Sequence, residues 1–227
     1  MTYSYLALGD SYTIGEGVPL YDSFPYQTVR LLRGAGRSFA APEILARTGW
    51  TTDELAAAFS RTEWLPRYDF VSLLIGVNNQ YRGRGLAEYG RQFEELLQQA
   101  IHLAGDPSAE APGGLAMPEA RPPHVFVLSI PDWSVSPFAH ANLPDAKGRQ
   151  IADVAGEIDA FNAKAAQTCR EHGVPFIDIT THGRSAGSDS SRFVADGLHP
   201  SAEQYRFWAE QLAAAIGQVI DAGGDGH

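Results

Sequence analysis

Ser11 is the residue of this chain whose setting could support covalent chemistry. It closes Gly9-Asp10-Ser11, a break into small and polar residues directly after a short aromatic and aliphatic run. A serine hydroxyl is a weak nucleophile. It needs a base to take its proton, and the base needs a partner that fixes its tautomer and stabilises its charged form. Both stand near the far end of the chain, in Asp196-Gly197-Leu198-His199-Pro200. An aspartate and a histidine three apart in a short turn let the carboxylate meet Nδ1–H while Nε2 faces outward. Attack on an ester carbonyl makes an oxyanion, which needs preorganised donors. Thr48-Gly49-Trp50 and Gly76-Val77-Asn78-Asn79 offer two. Gly49 allows close backbone approach and free orientation of its N–H, and Asn78 carries an uncharged side-chain amide. Each stretch alone reads as a turn. Ser11 together with Asp196 and His199 points to acyl transfer.

These residues must be carried by strand ends. Five β-type runs are expected, at Tyr3–Leu8, Pro42–Ala46, Phe70–Ile75, Val125–Ile130 and Phe176–Ile179. Leu73-Leu74-Ile75 and Val125-Phe126-Val127-Leu128 are continuous apolar runs, as in strands covered on both faces. Helical patterns alternate with them at Pro25–Arg33, Thr52–Phe59, Ala87–Leu103 and Ile151–His172, with a last one from Ser201 to about Ile220. Thr51 with Glu54, and Ser201 with Gln204, read as capping boxes. Alternating strands and helices imply right-handed crossovers and a parallel sheet between two helix layers, an α/β class. Ser11, Gly49 and Asn78 all follow strands, so they share the carboxyl edge, where ligands bind in such sheets.

Two connections are long. Ala104–Pro123, rich in Pro, Gly and Ala, reads as a flexible insertion. Pro131–Gln150 carries Trp133, Phe138 and His140 and leaves the same sheet edge as Ser11. It either walls a pocket or packs its aromatics on the body of the protein. Residues 1–222 are expected to form one domain, and 223–227 a frayed tail.

Composition narrows the partners. The 227 residues are 44% hydrophobic with a net charge of −10, which argues against a nucleic-acid backbone. No apolar run approaches the ~20 residues of a membrane span. No secretory signal is visible, so a cytoplasmic location is expected. The one cysteine, Cys169, excludes an internal disulfide and a cysteine-rich metal site, and reads as a small buried hydrophobe. His102, His124, His172, His182 and His227 read as surface or core residues. No metal or organic cofactor is expected.

Taken together, the four stretches resemble the SGNH hydrolases, also called GDSL esterases and lipases. That family is named for a Ser, Gly, Asn and His in four ordered blocks, matched here by Ser11, Gly49, Asn78 and His199 between Gly9 and Pro200. The resemblance implies a flavodoxin-like three-layer α/β/α fold with a five-stranded parallel sheet. It implies Ser11 as nucleophile, His199 as base and Asp196 as its orienting acid. The oxyanion hole would be the Ser11 and Gly49 backbone N–H groups with the Asn78 amide. Two residues depart from the family's usual pattern. Tyr12 replaces a frequent Leu beside the nucleophile, which bears on pocket shape. Asn79 replaces a frequent Asp, which removes a negative charge near the site. Asp10 reads as a structural residue of the first turn.

The expected reaction is hydrolysis of a small-molecule ester: a small acyl ester, an acetylated sugar or a lysophospholipid-like substrate. Tyr12, Trp50, Tyr81, Trp133 and Phe138 would line the substrate site. Arg82 and Arg84 read as solvated surface residues before they read as contacts for an anionic or sugar group. The alternatives are acyl transfer to an alcohol and a non-catalytic carbohydrate-binding domain on the same scaffold. The intact serine–histidine–aspartate set argues against the second.

Overall fold

The computed structural model describes residues 2–105 and 124–224. The expected insertion lies outside them except for Ala104 and Gly105, as do residues 225–227 of the expected tail. The first strand, β1 (Tyr5–Asp10), is buried at every position. It turns directly into a four-residue helix, α1 (Ser11–Ile14), which is followed by α2 (Phe24–Gly34), β2 (Glu43–Arg47) and α3 (Thr52–Phe59). Then come β3 (Phe70–Leu74), α4 (Val77–Tyr81), α5 (Leu86–Leu103) and β4 (Val125–Leu128). The chain continues through α6 (Pro137–Asn142), α7 (Ile151–Glu171), β5 (Phe176–Ile177) and α8 (Thr180–Ala186), and ends on α9 (Ala202–Gly224).

The strands form one five-stranded sheet in the order β2-β1-β3-β4-β5, parallel throughout. The central strands are apolar because both faces are covered: all of β3 and β4 is buried. α2 packs on α9, and α5 on α7, giving the two helix layers of the expected three-layer α/β/α fold. Cys169 is buried in α7, as expected. Among the described residues no helix is long and apolar enough to cross a membrane.

The strand order reverses between β1 and β3, and such a reversal opens a crevice at the carboxyl edge. Ser11 follows β1 and Asn78 lies just past β3, so the site falls on that crevice.

Several boundaries differ from expectation. β1 starts and ends two residues later than Tyr3–Leu8. Tyr3 makes only an isolated bridge to Phe39, while Gly9 and Asp10 go on pairing with Ala46 and Arg47. A Cβ on Gly9 would lie 2.5 Å from the Leu74 carbonyl oxygen and 2.0 Å from Thr13 Oγ1. The missing side chain lets the strand run on to Ser11. The Asn78 stretch is a helix, α4, not a turn. The last helix continues through Gly223 and Gly224, two residues assigned to the tail. Glu54 does reach back to the Thr51 amide at 2.9 Å. The second capping box fails: Ser201 Oγ is buried without a partner among the described residues, and Gln204 borders a cavity instead.

Candidate active site

Asp10 shapes the turn that presents Ser11. Its carboxylate accepts from the Tyr12 amide at 3.0 Å, which caps α1. Ser11 is thereby the first residue of α1 and is 4% exposed.

The turn before α9 is tied by its own backbone. Val194 N–H donates to the His199 carbonyl and Gly197 N–H to the Val194 carbonyl, both at 2.9 Å. Asp196 Oδ1 accepts from the Leu198 and His199 amides at 2.8 and 2.9 Å. Its Oδ2 lies 2.6 Å from His199 Nδ1, and His199 Nε2 lies 3.0 Å from Ser11 Oγ. Partial burial works against ionisation of Asp196, but the hydrogen bonds from the His199 ring and the two amides outweigh it. They hold the carboxyl below its ordinary range. An ionised carboxylate only accepts, so Nδ1 carries the hydrogen. In neutral imidazole Nε2 is then a lone pair facing the Ser11 hydroxyl, which is the arrangement a base needs.

The donor side is built by α4 and the loop before α3. Gly49 has φ +82°, a left-handed conformation that glycine adopts without strain. The Asn78 amide is engaged: Nδ2 donates to the Trp50 carbonyl at 3.0 Å and to Asp10 Oδ2 at 3.4 Å. The second bond is long, so that hydrogen is the easier one to share with a developing oxyanion. Burial is the main influence on Asp10 and pushes its carboxyl up to about 7, against the hydrogen bonds from Tyr12 and Asn78.

A cleft of about 200 Å³ opens over these groups. It gathers Ser11, Gly49, Asn78 and His199 with Tyr12, Tyr81, Trp133 and Phe138. Asp196 stands behind His199. Trp50 departs from expectation: its side chain packs against the hydrophobic core and does not border the cleft, while its carbonyl orients Asn78. The Pro131–Gln150 connection does both things considered for it. Trp133 and Phe138 wall the cleft, and the Phe138 amide donates to the Gly197 carbonyl at 3.0 Å, tying the wall to the histidine turn. His140 in this stretch is exposed. Thr48, Val77 and Leu198 also line the cleft and were not singled out from sequence. Their signal was adjacency to Gly49, Asn78 and His199.

Two expectations about charge change. Asn79 is fully buried and pairs with Thr52: its Oδ1 accepts from the Thr52 amide at 3.0 Å and its Nδ2 donates to Thr52 Oγ1 at 2.7 Å. The loss of an aspartate here therefore bears on the start of α3, where both partners of Asn79 lie. Arg82 is not a free surface cation. It donates to the Gly49 carbonyl at 2.5 Å and pairs with Glu54 at 3.3 Å. Arg84 pairs with Asp53 at 2.7 Å. No group of three or more His, Cys, Asp or Glu among the described residues could hold a metal ion.

A serine, histidine and aspartate in this chain of contacts, on the carboxyl edge of a parallel α/β sheet, make a site of the serine-hydrolase class. The chain belongs to the GDSL-like Lipase/Acylhydrolase family, whose sequence profile matches residues 7–207. No curated protein sequence matches it. Among solved structures it is similar to the lipase/acylhydrolase from Enterococcus faecalis, with TM-score 0.67 and 19% identity over 95% of each chain. It is similar to an acetylxylan esterase from Geobacillus stearothermophilus, with TM-score 0.67, 17% identity, and 95% and 94% of the two chains covered. An alpha/beta hydrolase enzyme from the metagenome of Lake Arreo, Spain, has TM-score 0.65 and 17% identity over 96% of each chain. These identities speak for the fold.

Proposed function

We propose that this protein is a serine esterase, hydrolysing carboxylic esters through an acyl-enzyme on Ser11. The observation that carries this reading is the unbroken contact from Asp196 through His199 to Ser11, at 2.6 and 3.0 Å. As Ser11 Oγ attacks the carbonyl carbon, its proton passes to His199 Nε2 and the carbonyl π electrons move onto oxygen. The oxyanion is met by the Ser11 and Gly49 amides and by Asn78. When the tetrahedral adduct collapses, the C–O bond to the alcohol breaks and the alkoxide takes the proton from His199. Water then repeats the sequence on the acyl-enzyme, which releases the acid and restores Ser11. Asp196 holds the imidazole tautomer and stabilises the imidazolium. One domain over residues 1–222 supplies all of these groups.

The substrate is a small-molecule ester. An apolar cleft bordered by Trp133, Phe138 and Tyr81 suits a small acyl ester, an acetylated sugar or a lysophospholipid-like ester. The names of the structural neighbours, an acylhydrolase and an acetylxylan esterase, support that range.

The test is p-nitrophenyl acetate hydrolysis by wild type and Ser11→Ala, with mass spectrometry after treatment with an organophosphate. Activity in the wild type only, and one phosphoryl adduct on Ser11, is the expected result. A folded Ser11→Ala protein with wild-type turnover would remove Ser11 from the mechanism.

A further inference from the structure

We infer that Tyr12 limits the acyl group to a short chain by walling off an apolar chamber behind the cleft. The inference rests on the esterase reading and names the substrate class for it. Beside the cleft lies a second, much smaller chamber of about 40 Å³, room for a few methylenes. The two share three lining residues: Tyr12, Trp133 and Leu198. Ile179, Phe193 and Trp208 line the chamber but not the cleft. Asp132 also borders it, but Arg184 takes up that carboxylate at 2.7 Å.

Of the three shared residues, Trp133 is fixed by its own hydrogen bond, Nε1–H to Gln80 Oε1 at 2.7 Å. Leu198 is fixed by the histidine turn, where its amide donates to Asp196. Tyr12 follows the nucleophile directly and is 4% exposed. Its ring lies 5.1 Å from the His199 ring and 6.2 Å from that of Trp208, so it touches both the base and the chamber lining. No described residue hydrogen-bonds the Tyr12 hydroxyl, so a shorter apolar side chain there strands no partner.

An ester carbonyl seated against Ser11 has its acyl chain beginning beside this wall. A short group fits in front of it. Further methylenes stay in the open cleft, where little of their surface leaves water. Behind the wall each methylene fully buried would raise kcat/KM by about fourfold. The wall therefore selects short acyl esters, and removing it should move the preference toward longer ones.

The experiment measures kcat/KM of the full chain for p-nitrophenyl acetate, butyrate and octanoate. It compares wild type with Tyr12→Leu and Leu198→Ala. Wild type should favour acetate or butyrate over octanoate. Tyr12→Leu should raise the octanoate-to-acetate ratio at least about tenfold, the effect of roughly two buried methylenes. Leu198→Ala opens the wall from its other side and should move the ratio the same way, even if Tyr12→Leu fails to fold or unseats His199. Unchanged ratios in the folded variants, or a wild type that already prefers octanoate, overturn the inference and leave the esterase reading standing. A wild type that hydrolyses none of the three esters overturns both.

Discussion

Asn78 and Asn79 are neighbours in sequence with different partners. Asn78 faces the cleft and its amide is aimed by Asp10 and the Trp50 carbonyl. Asn78→Ala should lower kcat by about 10²–10³ with little change in KM, because the lost donor matters most once the oxygen carries charge. Asn79 is buried against Thr52, so Asn79→Ala strands the Thr52 amide. That should cost about 1–3 kcal/mol of stability and leave kcat near wild type. Kinetics and thermal melts on both variants check the split, and the reverse pattern would exchange their roles. Asp10 gives a pH signature. Its carboxyl is pushed up to about 7 in the folded protein, so over the range from the ordinary carboxylate value to about 7 the unfolded chain has lost this proton while the folded one keeps it. Stability from this group is present in acid and is lost as pH rises to about 7. Asp10→Asn cannot titrate, so the difference in Tm between variant and wild type should move in the variant's favour from pH 4 to 8. A flat difference would mean that Asp10 titrates normally. The groups with chemistry were legible in the sequence because their types and order carry it. The role of Asn79 was not, because its partner lies 27 residues away and only the folded chain brings them together.

At the scale of elements, α4 and the residue after it clasp one loop. The Trp50 carbonyl is held by Asn78, the Thr52 amide by Asn79, and the Gly49 carbonyl by Arg82. Asn78 and Arg82 thus hold the loop that carries Gly49, and Asn79 holds the start of α3. Arg82→Ala should lower kcat by about tenfold with a small loss in Tm, a modest figure because the guanidinium is partly exposed. Arg82→Lys should recover part of kcat, since an ammonium can still donate to the carbonyl. Equal losses in both variants, with no effect on kcat beyond what unfolding explains, would make Arg82 merely a surface residue. The long helices were legible because their apolar patterns are long enough to carry a period, and the central strands because their apolar runs are continuous. α4, of five residues, has no such pattern. From sequence the stretch that holds the loop therefore reads as a turn, and Arg82 as solvated.

At the scale of the molecule, the sheet order decides where the site lies. The alternation of strands and helices announced a parallel sheet, but the reversal between β1 and β3 is a matter of pairing that no local pattern records. The central strand β3 ties these halves together. Leu73, fully buried in it, pairs with Leu8 on one side and Val127 on the other. Leu73→Ala should cost about 2–5 kcal/mol by lost burial and a residual cavity, while the protein that remains folded keeps its kcat. Denaturant unfolding beside active-site titration measures both. Ser11 and His199 meet across 188 positions of chain, one at the start of the sheet and one before the last helix. The ends of so long a flexible chain meet rarely, and ordering them has an entropic cost that local structure does not offset. Ser11 and His199, the proposed nucleophile and base, come together only when the first strand and the last helix are both docked. Turnover is thus a reporter of long-range closure: during refolding, far-ultraviolet helical signal should return before ester hydrolysis does, and a state with its helices formed but its termini undocked would be catalytically silent.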